Sequence, residues 1–168
     1  MPDQHTLEET ERAMNARVGH LAMDFRAAHA VSSLYRAANA ARSHLTNSVL
    51  RKHDLTWTGF LVLWLIWIWD SMETRRIAEN VGISKATLTG VTNTLVARGL
   101  VERVPSTVDR RLVELRLTGG GQELMTKLFP EFNTAEAELV AHLGSEDLAS
   151  LTGSLRSIVT SAEDRAAD

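Results

Sequence analysis

Apolar residues recur every three or four positions through most of the chain, and every second position through one short stretch. The first spacing buries one stripe of a helix; the second buries one face of a strand. Over residues 6–25, Leu7, Met14, Val18, Leu21 and Phe25 make a narrow stripe, as in a seam against another helix, and Gly19 marks a bend or break. Residues 24–52 read as one long helix of about seven turns, carrying Val31, Leu34, Tyr35, Ala38, Leu45, Val49 and Leu50. Such a helix is longer than one small core needs, and a subunit partner would explain it. His53 and Asp54 end it. Residues 55–69 are apolar nearly all round, with Trp57, Trp64, Trp67 and Trp69, which predicts a buried helix.

The pattern then becomes finer. Residues 73–80 have helix formers with Ile77 and Ala78 on one face. Val81-Gly82-Ile83 breaks that helix, with Gly82 free to take a positive φ. Ser84 can cap the next one through its hydroxyl, though no Glu or Gln completes a capping box. Ile83, Leu88, Val91 and Leu95 repeat at helical spacing, and Gly99 fits the stop. The opposite face then shows Lys85, Thr89, Thr92 and Asn93, with Ser84 and Thr87 near its start. Short polar side chains with one cation suit a helix that enters a DNA major groove. After Gly99 the period falls to two. Residues 100–104 predict a strand, residues 105–109 a turn, and residues 112–118 a second strand, so that Asp109, Arg110 and Arg111 sit near the tip of a hairpin. A polar-faced helix beside a hairpin with a basic tip is the pattern of a winged helix-turn-helix.

These residues resemble the MarR-type transcriptional regulators. The resemblance rests on the run from Ile77 through Thr89, on Leu95 through Val101 with Arg98-Gly99-Leu100, and on the wing pattern Asp109, Arg111, Leu117 and Thr118, followed by Gly121. It covers roughly residues 73–121 closely and the flanking helices more loosely. It implies that Arg111 enters the minor groove while Asp109 holds it in place. It also implies a small, often aromatic and anionic effector, bound between the dimer helices and the DNA reader. Here Trp57 and Trp64 would form the wall, and Arg42 and His44 the anchor for a carboxylate or phenolate.

Downstream, Gly119-Gly120-Gly121 lacks the pattern of a phosphate loop and reads as a flexible strand-to-helix joint. Residues 122–143 are helical, with Pro130 expected to kink the helix or begin a new segment. Gly144 stops it. Ser145 caps a last helix with Leu148, Leu151, Leu155, Ile158 and Val159 inward, and the chain frays from Asp164.

Charge sharpens this picture. The net charge of −3 hides an asymmetry: residues 71–121 hold eight Lys or Arg against five Asp or Glu, and the rest of the chain holds ten against sixteen. The basic excess sits where the DNA contact is expected. Residues 122–168, with nine acids and three bases, are expected to pair with the N-terminal helices rather than touch DNA. There is no cysteine, so disulfide and thiol chemistry are excluded. The longest apolar run is ten residues, too short for a helix to cross a membrane, and no signal pattern opens the chain; a cytoplasmic protein without membrane contact is expected. Six scattered histidines show no metal-ligand spacing, and no nucleophile motif occurs, so neither a cofactor, a metal nor an enzyme is expected.

The expected fold is mainly α with a small β-hairpin wing, a winged helix-turn-helix plus a helical dimerisation region. Residues 1–70 would supply N-terminal dimerisation and core helices, residues 71–121 the DNA-binding domain, and residues 122–168 C-terminal dimerisation helices. The expected function is that of a homodimeric repressor of a palindromic promoter site, relieved by a small-molecule effector. Its partners are then double-stranded DNA, a second copy and that effector. Ser84, Lys85, Thr87, Thr89, Asn93, Asp109, Arg110 and Arg111 are the candidate DNA contacts. Two alternatives remain open at this point: a winged helix used as a protein-interaction module, and an architectural DNA-binding protein that ignores small molecules.

Overall fold

A computed structural model describes residues 5–106, 109 and 111–167, and divides into two compact units, Met1–His44 and Leu45–Asp168. Arg110 lies outside the described residues.

In the first unit, helix α1 (Leu7–Val18) starts at Thr6, whose hydroxyl accepts from the Glu9 amide while the Glu9 carboxylate accepts from the Thr6 amide. This full capping box fixes the start, and Gly19 ends the helix earlier than the expected residue 25. Helix α2 (Phe25–Ser48) follows, and the second unit begins within it at Leu45. The Arg36 guanidinium on α2 reaches back to Thr10 Oγ1 and the His5 carbonyl, at 3.5 and 3.4 Å. The long helix stops at Ser48 instead of residue 52. A 3-10 turn, Leu50–His53, replaces its last turn and ends at Asp54, in the left-handed region at φ 51°. Leu50 is completely buried, so the tighter turn is set by what that side chain packs against.

The second unit is built on helix α3 (Trp57–Trp69), capped by the Thr56 hydroxyl on the Gly59 amide. Strand β1 (Ser71–Glu73), helix α4 (Thr74–Val81), helix α5 (Lys85–Ala97), strands β2 (Val101–Pro105) and β3 (Val113–Leu117), and helices α6 (Gly119–Val140) and α7 (Ser145–Ala167) follow. The wing is a three-stranded antiparallel sheet in the order β1-β3-β2, not the two-stranded hairpin expected. β1 pairs Met72 with Leu115, and β2 pairs Arg103 with Leu115 from the other side.

The core joins Leu50, Leu63 and Ile66 to Ile77, Leu95, Leu115, Met125 and Leu128. Aromatic contacts bind α3 to α6: Phe60 stacks on Phe132 at 4.3 Å, and Trp67 meets Phe129 at 5.2 Å between ring centroids. Helix α3 is not buried all round, however. Ile68 and Trp69, at its C-terminal end, are 50% and 65% exposed.

Three further expectations are corrected. Gly119 to Gly121 is no flexible joint but the first turn of α6, capped by the Thr118 hydroxyl on the Gly121 amide. Pro130 begins no new segment: α6 is one continuous helix through this exposed position. Finally, α7 remains helical to Ala167, past Asp164. Its stripe of Leu148, Leu151, Leu155, Ile158 and Val159 is 36–56% exposed, not turned into the core of this chain.

Candidate nucleic-acid interface

The turn between α4 and α5 sets the direction of the outward-facing helix. Gly82 takes φ 71°, a conformation strained for any residue with a Cβ, and the Ile83 amide closes the end of α4 on the Ala78 carbonyl. Ser84 then caps α5: its oxygen accepts from the Thr87 amide at 3.1 Å and lies 2.9 Å from Thr87 Oγ1. At the other end, Arg98 donates to the Asp54 and His53 carbonyls at 2.6 and 2.9 Å, anchoring α5 to the turn that precedes α3. Gly99, at φ 67°, lets the chain turn directly into β2.

Leu88 and Leu95 are buried and Val91 partly so, as the helical spacing required. Lys85, Thr87, Thr89 and Asn93 are exposed together with Ser84. Thr92 departs from the expectation. It is 2% exposed and its hydroxyl is a buried donor without a partner among the described residues. Position 92 follows Leu88 by one turn, so helical phase places it inward regardless of its polarity. Thr89 donates its hydroxyl proton to the Lys85 carbonyl at 2.8 Å, which leaves it a methyl group and lone pairs for any outside partner.

Beside this face stands the wing. Asp109 and Arg111 form a close pair, with Nε 3.1 and 3.2 Å from the two carboxylate oxygens and Nη2 2.8 Å from Oδ2. The Arg111 backbone amide also donates to Asp109 Oδ1. These bonds hold the Asp109 carboxyl below its ordinary pKa and the Arg111 guanidinium above its own. Arg111 is 90% exposed while Asp109 is 33% exposed, so the carboxylate acts as a base from which the cation projects. A second acid, Glu114, is held below the ordinary carboxylate range by the hydroxyls of Ser106 and Ser71, which fastens β3 to β1 under the tip.

Between α5 and the wing lies a cleft of about 600 Å³ whose charged lining residues, Arg75, Lys85, Arg103 and Arg111, are all basic. The cleft therefore brings Lys85 and Thr89 of α5 together with Arg111 of the wing, while Ser84, Thr87, Asn93 and Asp109 do not line it. It adds Arg75 and Arg103, which the helix pattern alone did not single out. Arg103 donates to Asn93 Oδ1 at 2.7 Å. A row of cations over a short polar helix face is suited to a polyanion with readable edges.

The candidate effector residues fall in different units. Arg42 and His44 are exposed in the first, with Arg42 donating to Asn39 Oδ1 at 3.1 Å. Trp57 and Trp64 belong to the second, both partly buried and packed against its core, with Trp57 6.2 Å from Phe132. Among the described residues no group of acids and histidines could hold a metal ion, and no helix is long and apolar enough to cross a membrane.

Comparison with known proteins matches residues 55–113 to the MarR family. The chain is 39% identical over 127 residues to YwaE, an uncharacterised HTH-type transcriptional regulator of Bacillus subtilis, covering 76% of this chain and 74% of that one. Among solved structures it resembles an E. coli MarR variant in complex with operator DNA, at 25% identity and a TM-score of 0.66 over 76% of this chain and 91% of the other. BpsR of Bordetella bronchiseptica shares the fold, at 22% identity and a TM-score of 0.69 over 77% and 98% of the two chains. The chain belongs to the MarR family and is a non-enzymatic, HTH-type DNA-binding transcriptional regulator.

Proposed function

We propose that the protein is a homodimeric repressor that binds an inverted-repeat promoter site and is released by a small aromatic anion. The observation that carries the DNA half of this reading is the cleft shared by α5 and the wing, where the Asp109–Arg111 pair projects a cation into a lining that includes Lys85 and Thr89. In this reading Lys85, Thr87, Thr89 and Asn93 meet base edges and groove walls, and Ser84 lies near a phosphate. Arg111 enters the minor groove, and Arg110 meets the backbone. Arg75 and Arg103 add to the electrostatic footprint. The net charge of the whole chain is negative, so affinity rests on doubling this small basic surface in a dimer.

The dimer is supported by apolar surface that the chain itself leaves uncovered. α7 exposes Leu148 through Val159 along one period, and the first unit exposes Val31 and Tyr35. A two-fold assembly would present two α5 helices to half-sites about 10 base pairs apart. Repression would follow from occlusion of the promoter. The effector reading is supported by the apolar faces of Trp57 and Trp64, by the cationic Arg42 with His44, and by the relative BpsR, whose DNA binding is regulated by 6-hydroxynicotinic acid. An effector must bind the DNA-competent and incompetent states with different affinity; a hundredfold release needs roughly 2.7 kcal/mol of coupling.

The test is selection of binding sites from random duplex DNA, followed by titration of the selected site across salt. The expected result is an inverted repeat whose affinity falls steeply as salt rises. A protein that enriches no sequence, or binds every duplex equally, is not a sequence-specific regulator. Titrating phenolic and pyridine carboxylates while following release of that site and tryptophan fluorescence tests the effector. Binding that is equal in the wild type and in an Arg42→Ala, His44→Ala double variant would count against those two anchors.

A further inference from the structure

Arg75 and Glu79 stand one turn apart on α4, and Arg75 Nε donates to Glu79 Oε1 at 2.8 Å. Their order is the reverse of what would stabilise the helix. A helix N-terminus favours acids in the first turn, and the C-terminus favours bases in the last. α4 has no acid in its first turn and no base in its last, and it carries the Arg75 cation at its second residue. Glu73, at the N-cap, makes no capping bond with its side chain. An isolated helix also gains more from an acid four residues before a base than from the opposite order. Helix stability therefore does not account for the pair.

What the pair does is aim a cation. Long side chains on a helix lean back toward its N-terminus, so Glu79 reaches toward Arg75, while Arg75 without a partner would swing off the start of α4. Held through Nε, the guanidinium keeps both NH2 groups, which make no hydrogen bond among the described residues. Arg75 lines the cleft between α5 and the wing with Lys85, Arg103 and Arg111, and Glu79 does not. The wing uses the same device, where Arg111 Nε donates to the Asp109 carboxylate. The free end of a guanidinium offers parallel N–H donors that match two oxygens of a phosphate. We infer that Arg75 grips a phosphate of the DNA backbone and that Glu79 is the positioning residue that aims it. This rests on the reading above that α5 and the wing face DNA across this cleft. The sign of the effect is diagnostic. Glu79 is an anion near a polyanion, so by charge alone its removal tightens binding. As a positioning residue its removal weakens binding, because the freed arginine must then be ordered on the DNA.

The test is anisotropy titration, across salt, of a site selected from random duplexes and of an unrelated duplex. The proteins are the wild type, Arg75→Ala, Glu79→Ala, Glu79→Gln and the Arg75→Ala, Glu79→Ala double variant, with Lys85→Ala and Arg111→Ala alongside. Arg75 and Glu79 are exposed, and alanine and glutamine are good helix formers, so α4 stays folded, which thermal melts verify. Arg75→Ala should weaken both duplexes by one factor and lower the slope of log affinity against log salt by about one unit per bound protomer. Glu79→Ala should weaken binding about threefold despite the charge it removes. Glu79→Gln keeps an oxygen for Arg75 Nε and should bind at least as tightly as the wild type. In the Arg75→Ala background, Glu79→Ala should weaken nothing further. Three results overturn the inference. Glu79→Ala and Glu79→Gln tightening binding by the same factor shows an acid that only repels DNA. An unchanged salt slope for Arg75→Ala shows that it meets no phosphate. Weakening by Glu79→Ala in the Arg75→Ala background shows an effect that does not run through Arg75. If Arg75→Ala alone is silent, the inference falls by itself; if Lys85→Ala and Arg111→Ala are silent too, the cleft does not face DNA and the underlying reading falls with it.

Discussion

Gly121→Ala should destabilise the protein, although alanine is the better helix former. Gly121 is in the first turn of α6, and a Cβ built on it would lie 2.1 Å from the Leu100 carbonyl oxygen and 3.2 Å from Leu117 Cδ2. Ordinary contact for that pair of atoms begins more than 1 Å farther out. Neither side can yield freely. Leu100 is buried, and its carbonyl accepts from the Thr118 amide at 3.1 Å, so moving it disturbs the bond that joins the end of β3 to the start of β2. Removing a helix glycine contributes about 0.5–1 kcal/mol of stability. Forcing a methyl group into a closed contact costs about 1–3 kcal/mol, and loss of the strained hydrogen bond adds about 1 kcal/mol. The net is a destabilisation of about 1–3 kcal/mol, or a fall in Tm of about 3–10 °C for a chain of this size. Urea unfolding at fixed protein concentration should show a lower midpoint with an unchanged slope. A variant as stable as the wild type would mean that α6 does not approach Leu100 as described.

Gly90→Ala is the counterpart: an added Cβ meets nothing within 4 Å, so stability should rise by about 0.5–1 kcal/mol, while operator binding weakens if the outward face of α5 seats closely on DNA. Arg111→Ala should cost about 1–3 kcal/mol of operator binding by fluorescence anisotropy and leave the melting temperature unchanged, because the side chain is 90% exposed; full-strength binding across salt would remove the wing from the interface. Glu114 has a lowered pKa in the folded state, so its carboxylate adds stability at neutral pH that is lost as the pH falls through that lowered value. The stability gap between wild type and Glu114→Gln, measured by urea midpoints, should therefore shrink on acidification, and a gap that grows contradicts the Ser106 and Ser71 contacts. Ile158→Asp, at a position 49% exposed in the single chain, should leave the helical content intact but convert dimer to monomer in sedimentation; an unchanged dimer would place the interface elsewhere.

Features set by local chemistry were legible in the sequence. The Ser84 cap, the positive φ of Gly82 and Gly99, and the burial of Leu88 and Leu95 follow from residue type and period within one or two turns. Features set by pairing were not. Ser71-Met72-Glu73 is too short to show alternation and becomes a strand only because β3 supplies Leu115 and Glu114 as partners. Thr92, one turn after Leu88, is buried by its helical phase against what its polarity suggests. Arg103 carried a partial signal: two residues after Val101, it lies on the same side of the alternation, although the side chain itself is exposed. Its partner is Asn93, ten residues earlier, and no spacing rule links a helix side chain to the strand that follows a turn.

The last helix separates two questions that one apolar stripe merges. The spacing of Leu148, Leu151, Leu155, Ile158 and Val159 shows that one face of α7 is made to leave water. It does not show which surface covers that face, because an intramolecular core and a subunit seam require the same period. Within one chain the face stays 36–56% exposed, and in the first unit Val31 and Tyr35 are 51% and 69% exposed on a helix longer than a small core uses. Against these, α5 and the wing are completed within the second unit by Arg98, Thr118 and Gly121. The reader is thus built by contacts inside the chain, whereas α7 and α2 carry apolar side chains that stay more than a third exposed. That division is what a DNA reader requires if its spacing on an inverted repeat is to be set, and altered, by how two copies meet.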